Sequence, residues 1–148
     1  DSLTYAQNRN HFNEYIEKNR RKELHSVGVI YLDLNGLKEI NDKMGHLAGD
    51  TLIISASYVL QEIFADNSYR IGGDEFVVIE QDVLESEFMS KYNKLLVRMK
   101  ELEISVATGY IWKERCLNLS EILQAADQKM YEDKKRYYSI AQKDRRRR

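Results

Sequence analysis

Asp33 stands near the end of an apolar run, Val27 to Leu34, and two further apolar runs, Tyr69 to Ile71 and Phe76 to Ile79, flank Gly72-Gly73-Asp74-Glu75. If these runs are adjacent strands, each presents a carboxylate at one end. Such a pair can hold a hard divalent cation between them. Magnesium suits the arrangement, since it takes a few protein oxygens and leaves the rest of its octahedron to phosphate and water.

The elements that would position these groups are legible from periodicity. Phe12, Tyr15 and Ile16 recur at helical spacing, ahead of a charged stretch from Lys18 to Glu23 that reads as a solvated helix end. Val27 to Leu34 is continuous and β-branched, as expected of a central strand buried on both faces. Leu37, Ile40 and Met44 predict a short helix stopped by Gly45. A longer helix is expected from Ala48 to Phe64, its stripe made by Leu52, Ile53, Ala56, Val59, Leu60 and Ile63, with Asp50 in its first turn. Tyr69 to Ile79 reads as a hairpin whose reversal needs the Gly-Gly pair. Phe88, Tyr92, Leu95, Leu96 and Met99 mark another core-facing helix. Ile104 to Trp112 reads as a strand, with Gly109 as a bulge or a point of close approach. Ser120 is the expected N-cap of a last helix with Ile122, Leu123, Ala126 and Met130 inward. The order predicts an α+β domain with a mixed or antiparallel sheet flanked by helices. Residues 141–148 form a basic C-terminal tail, expected to be disordered.

With 148 residues, 43% hydrophobic and 32% charged, the chain is long enough for one domain with a real core. Its net charge of −1 provides no field that would recruit nucleic acid, so none is expected as a partner. The one cysteine, Cys116, cannot close an internal disulfide and fits a reducing compartment. The chain contains no proline, for which there is no functional account.

Taken together, D-x-N-x-x-K-x-x-N-D from Asp33, G-H-x-x-G-D from Gly45, G-G-D-E-F from Gly72 and A-D-x-x-M-Y-x-x-K from Ala126 resemble the GGDEF domain family of diguanylate cyclase catalytic domains. The resemblance runs from Asp1 to about Tyr138, with the domain taken as residues 1–140. It implies the palm-like nucleotide-cyclase fold and the condensation of two GTP into cyclic di-GMP with release of pyrophosphate. It further implies Mg2+ as cofactor, with Mn2+ as an alternative, held by Asp33, Asp74 and the Leu34 carbonyl. Asp74, Glu75 and Lys38 would be catalytic. Asn41, His46, Asp50, Gly72, Gly73 and Lys134 would bind substrate, with Asn41 and Asp50 on the guanine edge and Lys134 on the phosphates. His46 is equally readable as a structural hydrogen bonder. A transient homodimer is implied, because each chain would hold one GTP. So are an upstream sensory domain in a longer parent and a cytoplasmic setting, including that of a membrane-anchored parent. The alternative is a GTP-binding regulatory domain with little or no catalysis.

The pattern is departed from in several places. Tyr5 and Ala6 replace the family's Gly-Leu at the opening turn, and Asn35 replaces a second aspartate. Ile63 stands where an inhibitory R-x-x-D would have its arginine, leaving Asp66 alone, so no product inhibition through that site is expected. Tyr138 stands where an arginine often follows the phosphate lysine.

Overall fold

The computed structural model describes residues 3–147, with side chains described up to Lys143. The elements are α1 (Arg9–Asn19), β1 (Leu24–Leu34), α2 (Leu37–Met44), α3 (His46–Phe64), a 3-10 turn (Ala65–Asn67), β2 (Ser68–Arg70), β3 (Glu75–Glu80), α4 (Glu85–Glu101), β4 (Val106–Cys116) and α5 (Leu119–Arg147). The four strands are antiparallel in the order β2-β3-β1-β4, with β1 in the interior. The α+β expectation is met.

The continuous apolar run of β1 has a direct cause. Ile30, Leu32 and Leu34 face one core with Phe76 and Val78, under Ala56, Leu60 and Phe64 of α3 and Phe88, Leu95 and Met99 of α4. Val27, Val29 and Tyr31 face the other with Val77 and Ile79, under Phe12 of α1 and Leu123, Ala126 and Met130 of α5. With helices on both faces, alternate residues from Val27 onward are buried on opposite sides, and only His25 and Ser26 near the strand's start reach solvent. Each such large side chain contributes about 1.5–3 kcal/mol of burial.

Gly109 is a close-approach position and not a bulge. Its pairing with Tyr31 lies in an unbroken register, and a Cβ there would lie 2.2 Å from the Ala126 carbonyl oxygen and 2.4 Å from the Met130 nitrogen. The backbone of α5 therefore rests on β4, which fixes where Lys134 emerges one turn later.

Several local expectations are corrected. Helix α3 begins at His46, two residues early, so no acid lies in its first turn and Asp50 falls in the second. Asn118, not Ser120, precedes α5, and its Oδ1 accepts from the Glu121 N–H at 3.4 Å. Met44 is 73% exposed, and α2 has no buried residue, because this short helix lies against α3 at the molecule's edge. Helix α5 continues to Arg147 through the basic run, where an unstructured tail is expected from residue 141. Lys, Arg and Gln are good helix formers, and cations are favoured at a helix C-terminus. Asp1, Ser2 and Arg148 lie outside the described residues. At the opening turn, neither Tyr5 nor Ala6 takes a left-handed conformation, so the missing glycine imposes no strain there. Cys116 is buried, and burial raises its thiol pKa, as an inert core cysteine requires.

Candidate functional site

The end of β1 and the start of β3 meet at one edge of the sheet, where Asp33 pairs in register with Glu75. Backbone bonds hold the intervening turn in place. The Leu34 N–H donates to the Asp74 carbonyl at 2.9 Å, and the Ile71 N–H donates to the Glu75 carbonyl at 2.9 Å. Two guanidinium groups brace the turn from outside. Arg70 donates to the Gly72 carbonyl at 3.2 Å and the Gly73 carbonyl at 2.9 Å, and Arg9 donates to the Ile71 carbonyl at 2.8 Å. Spacing does not single out Arg9 for this, since it reaches the turn across 62 positions of sequence.

Asp33 is buried, and its Oδ2 lies 2.7 Å from Nζ of Lys134, which comes from α5. Its Oδ1 is buried without a hydrogen-bond donor among the described residues. Burial is the main influence raising the Asp33 pKa; the Lys134 bond pulls it down and Asp74 pushes it up again. Glu75 is likewise raised, first by burial and then by Asp127, Asp33 and Asp74. Burial is the largest single influence on Lys134 and would lower its pKa, but the bond to Asp33 together with the charges of Asp33, Asp74 and Tyr138 holds the ammonium above its usual value. Asp127 is raised by burial. One ammonium thus serves a site crowded with carboxylates, and a hard cation would relieve the excess.

The residues present fit magnesium. Asp33 and Asp74 are hard oxygen donors, one Asp33 oxygen lacks a partner, and Leu34 is fully buried, so that only its main chain could take part. Among the described residues, no group of three or more His, Cys, Asp or Glu forms a ready-made metal cage.

The other expected site residues lie in the turn between β2 and β3, on α2 and in the first turns of α3. Neither Gly72 nor Gly73 has a left-handed φ, so the turn itself does not demand glycine there. A Cβ on Gly73 would meet nothing within 4 Å, and one on Gly72 only the Glu75 side chain at 3.5 Å. The two glycines leave open space beside the carboxylates. Asn41 projects from α2 against α3, where a Cβ on Gly49 would come within 1.8 Å of its Oδ1; that buried acceptor also lacks a donor. Asn41 is thereby placed beside the helical turn carrying Asp50. Lys38 and His46 are exposed, and among the described residues no hydrogen bond or ion pair joins either to the Asp33 centre. Asp66 lies exposed in the 3-10 turn, with the half-buried Ile63 three residues before it and no guanidinium at that position. The ring of Tyr138 lies 5.9 Å from the Lys134 ammonium.

The family model described as "Diguanylate cyclase, GGDEF domain" matches residues 1–138. The chain belongs to the GGDEF family. It is 36% identical to signaling protein YkoW of Bacillus subtilis, over 95% of this chain and 20% of that protein. It is 30% identical to the cyclic di-GMP phosphodiesterase PdeR of Escherichia coli, over 88% of this chain and 22% of that one. Against the diguanylate cyclase DgcS of Shewanella oneidensis it is 26% identical, over 90% of this chain and 49% of the relative. The chain thus spans a fifth to a half of the length of these relatives. Among solved structures, the GGDEF domain of DgcB from Caulobacter crescentus in complex with cyclic di-GMP superposes with a TM-score of 0.76 at 21% identity, covering 91% of this chain and 89% of that one. A microbial GGDEF domain described in a novel interaction mode with cyclic di-GMP gives 0.73 at 29% identity, covering 90% and 91%. The palm-like fold expected of the GGDEF family is the fold observed.

Proposed function

We propose that this domain is a diguanylate cyclase that condenses two GTP into cyclic di-GMP. The observation that carries the reading is the Asp33–Asp74 carboxylate pair at the strand edge, with one buried Asp33 oxygen lacking a partner and Lys134 beside it. Asp33, Asp74 and the Leu34 carbonyl would hold Mg2+, or Mn2+ in its place. When bound, that ion supplies neutralisation of the triphosphate and lowers the pKa of the attacking hydroxyl. The chain's own groups do the rest. Lys134 and Lys38 place ammonium charge where phosphate negative charge develops. Asp74, with Glu75 beside it, accepts the 3′-hydroxyl proton. The 3′-oxygen then bonds to the α-phosphorus of the other GTP as pyrophosphate leaves, and the second linkage forms in the same way. Asp50 accepts from the guanine N1–H and N2–H₂, while Asn41 can both donate and accept. His46 lies on the same segment. The open space at Gly72 and Gly73 admits base and phosphate close to the backbone.

Each chain holds one nucleotide, so the reaction requires two domains face to face, brought together in a parent protein by a segment outside this domain. A cytoplasmic setting follows from GTP as substrate; no described helix is long and apolar enough to cross a membrane. Ile63 leaves Asp66 without an arginine partner, so product inhibition through that position is absent.

One observation favours a second reading, a GTP-binding regulatory domain: Tyr138 offers a ring and a hydroxyl where an arginine would clamp phosphate. Fusing the domain to a dimeric coiled coil and assaying cyclic di-GMP from GTP and magnesium separates the two. Product supports the cyclase. Intact GTP binding with no product supports the regulatory domain.

A further inference from the structure

The pairing of Lys134 with Asp33 sets two proposed roles against each other. Asp33 is read as a metal ligand and Lys134 as a phosphate ligand, yet in the free domain the two are paired through one Asp33 oxygen while the other has no partner among the described residues. Nζ lies 2.7 Å from Oδ2, and the two side chains are only 22% and 12% exposed. Asp74 and Glu75 crowd the same carboxylate from the turn and from β3, and Asp127 adds its charge to Glu75 from α5. Tyr138 flanks the ammonium on its own helix, 5.9 Å away.

A divalent ion would take the unpartnered Oδ1 at about 2.1 Å, on the same carboxylate whose Oδ2 holds the ammonium. Two positive centres so close repel, and burial screens them poorly. The two therefore compete for the charge of one carboxylate, and the weaker-held of them yields. The backbone of α5 cannot move to allow it, because Ala126 and Met130 press directly on Gly109. The lysine stem can, being a flexible chain ending in a compact point charge. A triphosphate arriving with the cation provides the displaced ammonium with a new anionic partner.

We propose that Lys134 is an exchange latch. It holds Asp33 in the nucleotide-free domain, competes with the divalent cation for that carboxylate, and transfers to the triphosphate when cation and nucleotide arrive together. The proposal rests on the GTP reading of this site. It makes Lys134 a positioning residue that couples the two ligands, and such coupling is reciprocal.

The test is binding, not turnover. Mn2+ is titrated, by paramagnetic resonance, into the unaltered domain, Lys134→Gln and Lys135→Gln, with and without 3′-deoxy-GTP, which lacks the reacting hydroxyl. Lys135 is exposed on the next position of the helix, so its variant controls for loss of one positive charge. Without nucleotide, Lys134→Gln should bind Mn2+ about fivefold more tightly or better, and Lys135→Gln within about twofold of the unaltered domain; Lys134→Gln should also bind the analogue about tenfold more weakly. In the unaltered domain, the Lys134 ammonium resonance should move when magnesium and the analogue are added together. Mn2+ affinity unchanged or weakened in Lys134→Gln would overturn the latch, as would an ammonium resonance that does not respond to loading. If Mn2+ tightens in Lys134→Gln but no form binds the analogue, competition for Asp33 stands and the GTP reading fails.

Discussion

The two ends of β3 place an acid beside a lysine in opposite ways. At one end Glu80 is buried, and both its oxygens accept from Lys91 at 3.1 Å while Oε2 also accepts from Asn67 at 3.2 Å. At the other end Glu75 faces Asp33, whose Oδ2 takes Lys134 while Oδ1 is left without a donor and Asp74 adds like charge. The first cluster is hydrogen-bonded and closed, which is what a polar group held for structure requires. The second is short of positive charge and short of donors, and a ligand would complete it. Burial and charge type are similar, so the difference lies in what is left unsatisfied.

That contrast is broken most severely by exchanging one atom at the open end. Asp33→Asn should reduce cyclic di-GMP formation by about 100-fold or more, since it removes a charge from the proposed metal position. Its thermal stability should change little, because loss of the Lys134 pair is offset by relief of burial and of repulsion from Asp74. At the closed end the outcome reverses. Glu80→Ala should cost about 3 kcal/mol in denaturant unfolding, as breaking a buried pair does, with turnover per folded molecule unchanged.

The glycines sharpen the same comparison. Gly109→Ala puts a methyl group into the α5 backbone and should cost about 3 kcal/mol. Gly73→Ala meets only open space and should stay within about 0.5 kcal/mol in unfolding, while GTP binding measured by calorimetry weakens.

The positions of the carboxylates were legible because each ends an apolar run, and the strands those runs form are the strands observed. The fold was legible for the same reason: periodicity records which faces are covered, and β1 is apolar from Val27 to Leu32 because both its faces are. What escaped was long-range or set by a single turn. No spacing connects Lys134 to Asp33, or Arg9 to the Ile71 carbonyl, since those contacts exist only once α5 and α1 are packed. The cap of α5 went to Asn118 instead of Ser120 because either side chain can accept from a free N–H, and the packing of α5 decided the register. Met44 followed the stripe of Ile40 yet lies exposed, because a helix of eight residues at the edge of the molecule has little to pack against.

The smallest effect concerns pH. Burial pushes the phenols of Tyr31 and Tyr69 up to about 12, with Asp127 and Glu75 adding at Tyr31 and Tyr15 at Tyr69, against Arg9 at Tyr31. Between the ordinary phenol value of 10.0 and about 12 the unfolded chain has lost protons that the folded chain keeps. Stability should therefore fall as pH rises through that window. Phenolate absorbance alongside unfolding curves would show this, and Tyr69→Phe should flatten the decline.

The central claim is that the Asp33–Asp74 edge makes a phosphodiester bond between two nucleotides held by two chains. The most direct test is cyclic di-GMP formation from GTP and magnesium over a wide range of protein concentration, with Asp74→Ala in parallel. The account predicts a rate that rises more steeply than linearly with concentration and vanishes in the variant. A rate strictly proportional to concentration, or one retained without Asp74, would contradict it.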